Sequence, residues 1–385
     1  MALLKKWIAL LPAAALLTAA ACNGGATVPS AAGGAAGSQL VPSSANVASP
    51  SDTTSILKKL TKTVVIGTTT DPTNGDTGGH SIAITQTDYG FKKGQLLVCN
   101  FADKSGAAGK GSTIDLFSPV KGSKPKTVVK DSRIEGCDGS AVSYGNAVYG
   151  AGMNGGVVAG YTSGGKFIKQ YGSPLKAPFA DVDAACPPNK PHCLYNAEYI
   201  FASDAKTGGL VSFSINYYGN PTPTQIAGGF AVNNKTGWST LGPSGLAYTY
   251  AKDTIYIADG VDNTVVAFNH ASELLVKDEI VVQKGGKTFK CKYPKTTCGK
   301  LVKAGSPLDA PEAMTVLPNG NLIVANTGNN ALVELTPSGQ VLDTKVIDKG
   351  KSPAIFGLAA AGTNDNNTVL FYTDINSNQL VELEQ

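Results

Sequence analysis

His80, Asp138 and Glu312 are the residues of this chain whose types suit shared chemistry. One imidazole with two carboxylates is a mixed nitrogen and oxygen donor set that zinc or another divalent cation accepts. The three are distant in sequence and carry no His-x-x-x-His spacing, so only a fold that gathers them would make a site. Ser244 holds a comparable position and joins them in a candidate binding set, with His80, Asp138 and Glu312 as the metal ligands of an enzymatic alternative. Polar residues also collect at the mouth of a water-filled channel with no ligand involved, and that plainer reading covers the same residues. No nucleophilic machinery accompanies them. Gly242-Pro243-Ser244-Gly245 is not a strand-to-helix elbow, and the glycine-rich run from Ser105 to Gly111 precedes no helix that could cradle a phosphate. The expectation is no catalytic residue and no cofactor, with a divalent metal ion in the alternative reading.

What would gather these residues is a repeat. A short apolar strand after Gly or Pro leads to a second strand ending in Asp or Asn, then a Gly/Asn turn and a third strand. It is clearest from Gly242 through Ile255–Asp259 to Asn263–Phe268, and from Ala310 through Leu322–Asn326 to Asn330–Leu335. Weaker copies begin at His80, Asp138 and Phe179, and a last one at Phe356. Self-similarity at roughly 40 to 50 residues, built from strands and turns alone, predicts a six-bladed β-propeller of four-stranded antiparallel blades. The last copy stops after its third strand at Glu384-Gln385, so the isolated strand Thr61–Gly67 is the expected donor that completes the C-terminal blade and removes its open edge.

In this register the residues opening the innermost strands are His80, Asp138, Phe179, Ser244, Glu312 and Phe356. A second ring, Asn100, Asp204, Asp259, Asn326 and Asp374, closes the second strands, where Asp and Asn side chains bond the backbone of the following turn. His192 and His270 fall in loops.

Before the repeat, Met1 to Ala21 reads as an export signal, with Lys5 and Lys6 ahead of an apolar stretch and Ala19-Ala20-Ala21 at its exit. Residues 22–55 read as a lipidated Cys22 followed by a flexible Ala/Gly/Ser/Pro linker, and 56–385 as the propeller. Removing Cys22 from the 7 cysteines leaves an even set. The repeat register brings Cys99 and Cys137 to one rim, while Cys186 with Cys193 and Cys291 with Cys298 close short loops; other pairings of the six remain open.

Charge excludes one class of partner. Discounting Lys5 and Lys6 brings the 32 basic residues close to balance with the 28 acidic ones, and Arg133 is the only arginine. A reader of phosphates or bases normally uses several arginine forks, so nucleic acid is not expected. The exception to balance is a lysine-rich stretch around Cys291 and Cys298, which reads either as a solvated loop or as a dock for an acidic surface or glycan.

The segments Pro243–Ala247, Ile255–Asp259 with Asn263, and Leu322–Leu332 resemble NHL repeats, which build six-bladed propellers, and are distantly similar to the gluconolactonase and strictosidine synthase groups. The lactonase pattern would set a Glu, an Asn and an Asp around a metal, for which Glu312 with Asn326 or Asp374 are the counterparts. The amidating-lyase pattern would place several histidines at strand starts, where this chain has His80. Such folds host scaffolds and enzymes alike. The combined expectation is a bacterial envelope lipoprotein, outer-membrane anchored and facing periplasm or surface. It would be monomeric, and its propeller would bind a protein or glycan partner. The alternative is a metal-dependent lactonase or lyase with its site at the central channel.

Overall fold

The computed structural model describes residues 53–185, 198–215 and 222–385. The expected leader, Cys22, the linker as far as residue 52, His192 and the Cys186/Cys193 loop lie outside them. Within them the chain forms six sheets, and their inner strands touch in cyclic order, the first against the last, so the ring closes.

From the axis outward, blade 1 is β2 (Thr77–Ile84), β3 (Leu96–Ala102), β4 (Ala108–Phe117) and β5 (Lys126–Lys130). Blade 2 is β6 (Cys137–Val142), β7 (Val148–Gly152), β8 (Val157–Tyr161) and β9 (Phe167–Tyr171). Blade 3 opens with β10 (Pro178–Ala185), β11 (Glu198–Asp204), β12 (Gly209–Ser214) and β13 (Thr224–Gly228). Blade 4 is β14 (Pro243–Thr249), β15 (Thr254–Asp259), β16 (Thr264–Asn269) and β19 (Gly299–Ala304). Blade 5 is β20 (Pro311–Val316), β21 (Leu322–Asn326), β22 (Ala331–Leu335) and β23 (Val341–Val346). Blade 6 is β24 (Ile355–Ala361), β25 (Val369–Asp374) and β26 (Gln379–Glu384), completed by β1 (Lys62–Thr68).

The expected closure is present. Strand β1 runs antiparallel to β26, from Lys62 opposite Glu384 to Thr68 opposite Gln379. Just upstream, Ile56, Leu57 and Leu60 are fully buried in the core shared by blades 5 and 6, where Glu334 accepts from the Leu57 amide at 2.8 Å and the Ser55 hydroxyl at 2.7 Å.

Second and third strands are continuous apolar runs because both faces of a blade pack on neighbours; β3, β15 and β21 are buried at every residue. Outer strands meet solvent, and no residue of β23 is buried. The turn from second to third strand ends on a left-handed residue in five blades, namely Gly156, Gly208, Asn263, Asn330 and Asn378. Gly and Asn accept that conformation at least cost, which is why the repeat is written in those two residues.

Blade 3 departs from the four-stranded, antiparallel expectation. Between β16 and β19 the chain turns back as a hairpin, β17 (Ile280–Val282) and β18 (Phe289–Cys291), and β17 pairs parallel with β13, making a six-stranded sheet. The outermost strand of a blade offers unpaired backbone groups, and this insertion satisfies them from the neighbouring blade. Disulfides join Cys99 to Cys137, between β3 and β6, and Cys291 to Cys298 at the hairpin's end.

Candidate functional site

The inner strands start at one mouth of the channel, here the upper one. His80 and Asp138, on neighbouring blades, stand side by side there: His80 Nδ1 contacts an Asp138 carboxylate oxygen, both side chains being buried. Glu312, from blade 5, lines the same small cavity of about 60 Å³ together with Asp181 of β10. Glu312 Oε1 accepts from the Thr327 hydroxyl at 3.1 Å, while its Oε2 and both carboxylate oxygens of Asp181 meet no protein donor.

Ser244 is placed differently. It is fully buried, and its hydroxyl lies 3.0 Å from the Pro311 carbonyl and 3.4 Å from that of Ala258, so it ties blade 4 to blade 5 instead of facing the cavity. Phe179 and Phe356, which open the remaining inner strands, do line it.

The upper mouth is roofed by aromatic rings. The connection from blade 3 to blade 4 carries Trp238 across to blade 1, where its ring lies 4.9 Å from Phe101 and 5.4 Å from Phe356, centroid to centroid. His80 is packed beneath this roof, 4.2 Å from Phe356 and 4.8 Å from Phe101. Gly78 makes room for it: its φ is +69°, and a Cβ there would stand 2.5 Å from the Trp238 ring.

Below the roof the channel widens to a cavity of about 160 Å³, lined by Asp181, Asp183, Gln86 and Tyr248 among inner-strand apolar side chains. Burial pushes the Asp183 carboxyl well up, and neighbouring Glu198 pushes in the same direction. Glu312 and Asp181 are held far above the usual carboxylate range by burial, with Asp138 adding to it in both. Burial raises Asp138 as well, against the pull of His80. Neither cavity is lined by a lysine or arginine, so no such cation offsets the burial of these carboxyls.

Asp181 and Asp183 belong to the site although the repeat did not mark them. The available signal was Asp-x-Asp inside an inner strand, a spacing that puts both carboxyls on one face.

As a metal centre, the expected triad is incomplete. Among the described residues, the His/Cys/Asp/Glu group whose ligand atoms all lie within 4.8 Å of one another is Asp253, His270 and Glu273, not His80, Asp138 and Glu312. That other group is a loop brace. Asp253 accepts from Tyr248 at 3.0 Å and from the Ser272 amide and hydroxyl at 3.0 and 2.8 Å. His270 lies 3.7 Å from Glu273. In the channel, the free oxygens of Asp181 and Glu312 suit a hard cation, whereas His80 is already engaged by Asp138.

The ring of second-strand ends divides by chemistry. Asp204, Asp259 and Asp374 accept from amides two residues on, holding the turn as expected. Asn100 and Asn326 instead donate, to Asp115 at 2.8 Å and to the Pro307 carbonyl at 2.7 Å, because an amide nitrogen can serve a neighbour that a carboxylate cannot.

No family model matches this sequence, and no curated protein matches it. Solved structures do. The Xanthomonas campestris gluconolactonase XC5397 is 12% identical with a TM-score of 0.54, covering 90% of this chain and 97% of its own. A structural genomics protein of unknown function from Bacteroides thetaiotaomicron VPI-5482 is 13% identical with a TM-score of 0.50, covering 84% and 75%. At such identities the likeness is one of fold, and the fold is the six-bladed β-propeller.

Proposed function

We propose that this chain is an exported, lipid-anchored protein of the cell envelope whose propeller is a binding module for a protein or glycan partner. The observation that carries this reading is the roofed channel. Small-molecule sites usually occupy some 300 to 1,000 Å³. The two channel cavities here measure about 60 and 160 Å³, and Trp238, Phe101 and Phe356 close the upper mouth. A sugar lactone has little room beside His80, whereas the outer rims and loops are free to meet a larger partner. Co-purification from envelope membranes with the full chain as bait tests this: recovery of a partner in stoichiometric amount is expected, and recovery of none with intact protein overturns it. Cys22→Ser should release the protein from membranes; if it stays bound, the anchor is elsewhere.

A metal-dependent lactonase or lyase is the second reading, favoured by the buried Asp181 and Glu312 oxygens that no protein donor satisfies. The gluconolactonase of like fold makes a lactone the first substrate to try. Metal analysis decides it. A stoichiometric divalent ion lost in both Asp181→Ala and Glu312→Ala, together with lactone hydrolysis, would establish this reading, and absence of any bound ion removes it.

A further inference from the structure

The stretch from β17 through β19 carries positive charge without a balancing acid. From Ile280 to Ala304 it has no acidic residue, and Lys284, Lys287, Lys290, Lys292, Lys295 and Lys300 are all exposed. Among the described residues none of the six forms an ion pair; Lys292 lies over the exposed Tyr293 ring at 5.6 Å.

A solvated loop would need no scaffold, and this one has several. Strand β17 is paired to β13, and the Cys291–Cys298 disulfide closes the far end. Buried Glu279 receives the Thr297 hydroxyl by its side chain and the Lys292 amide by its carbonyl, at 2.8 Å for the latter. Phe289 turns inward, its ring 6.1 Å from Phe268, and Gly299 lets it seat, since a Cβ there would stand 2.4 Å from the ring. The apolar side of the hairpin is thus fixed to blades 3 and 4 and its lysines face out.

We infer that this stapled hairpin docks an anionic polysaccharide. The chemistry separates that partner from others. Protein–protein contact centres are enriched in aromatic residues and Arg and depleted in Lys. This face has the reverse composition, with Tyr293 as its one exposed aromatic side chain. Lysine ammoniums are hydrated point charges without the planar fork that reads phosphates, and suit charges dispersed along a flexible polymer. Binding of that kind is driven by counterion release and is steeply salt-dependent. This inference rests on the binding-module reading and names the partner's chemistry.

The test titrates the full chain with alginate, a linear polyuronate, against neutral dextran of the same size, with polyglutamate and phosphatidylglycerol vesicles as further arms. Alginate binding without dextran binding is expected, weakening at least about tenfold between about 50 and 200 mM salt. Combined Lys290→Glu, Lys292→Glu and Lys295→Glu should lower the affinity about tenfold or more, the same sites changed to Gln less so, while Lys121→Glu, Lys124→Glu and Lys166→Glu on other blades change it by less than about twofold. No alginate binding, tighter binding of polyglutamate or vesicles, or equal losses in the hairpin and the control Lys→Glu triple variants overturns the inference. An envelope protein that co-purifies equally with the hairpin variant would leave the binding-module reading standing while this one falls.

Discussion

Glu334 and Asp181 are both buried carboxylates on strands of the same kind of blade, and the fold treats them in opposite ways. Glu334 is fully buried and takes four donors: the Ser55 hydroxyl at 2.7 Å, the Ile56 and Leu57 amides at 3.2 and 2.8 Å, and Asn321 at 3.0 Å. Asp181 faces the channel with no protein donor on either oxygen. The first carboxylate latches the N-terminal segment onto blade 5. The second contributes nothing of that sort, and its ionised form is costly where it stands. Burial by itself therefore does not distinguish a structural acid from one kept for another reason; the donor count does.

Removing the latch should have the largest effect. Glu334→Ala removes the shared acceptor of two backbone amides, the Ser55 hydroxyl and the Asn321 side-chain amide, so a loss of about 3 kcal/mol is expected from denaturant melts. Proteolysis should then cut first near Ile56 to Leu60. An unchanged midpoint would erase the contrast with Asp181.

Next comes pH. Burial raises Asp115 to about 8 and Asp259 to about 6, and the channel acids Asp181, Asp183 and Glu312 move the same way. Between about pH 4 and those values Asp115 and Asp259 each hold a proton in the folded chain that they have lost in the unfolded one, and the channel acids act in the same direction. Folding then takes up protons, so stability falls as pH rises across that interval and is greatest at its acidic end. Asp71, beside Asp115, acts outside this interval: burial raises it, but hydrogen bonds from Thr127 and Thr73 leave it lowered, so its contribution is complete above about pH 4 and is lost only on further acidification. A stability lower by at least about 2 kcal/mol at pH 8 than at pH 5 is expected. A rise over that range would mean that the channel acids are ionised and compensated.

Asp181→Asn sharpens the same point at one residue. The amide carries no charge to bury at any pH, so it should stabilise the fold by about 1 kcal/mol more at pH 8 than at pH 5, read as a shift in the denaturation midpoint. A loss at both pH values would give Asp181 a structural role like that of Glu334.

These contrasts also show what the sequence discloses. The blades, their closure by β1 and the Cys99–Cys137 link follow from a turn that must end in a left-handed Gly or Asn, a local constraint visible in every clear copy. His80 and Asp138 fall side by side because register fixes residues on adjacent blades. Trp238 could not be read this way, since its loop belongs to no repeat and its contact with Gly78 joins opposite sides of the ring. Asp181 and Asp183 sit in the most degenerate copy, where the pattern that would have marked them is weakest. The parallel pairing of β17 with β13 was hidden too, because it satisfies backbone groups and leaves no side-chain period.

The smallest expected effect on stability belongs to the hairpin lysines. Neutralising Lys290, Lys292 and Lys295 with Gln removes three exposed charges that hold no ion pair among the described residues, so the melting midpoint should move by less than about 0.5 kcal/mol. Relief of mutual repulsion among neighbouring ammoniums even favours a slight gain. The same face is anchored beneath by Glu279 and Phe289. Glu279→Ala should therefore cost about 2 kcal/mol, the buried Thr297 hydroxyl losing its acceptor. A hairpin whose underside matters to the fold and whose charges do not is the outer counterpart of Asp181, a place where the chain carries charge that its own stability does not use. If the lysine variant instead melts as early as Glu279→Ala, those ammoniums are part of the scaffold, and the parallel between rim and channel is lost.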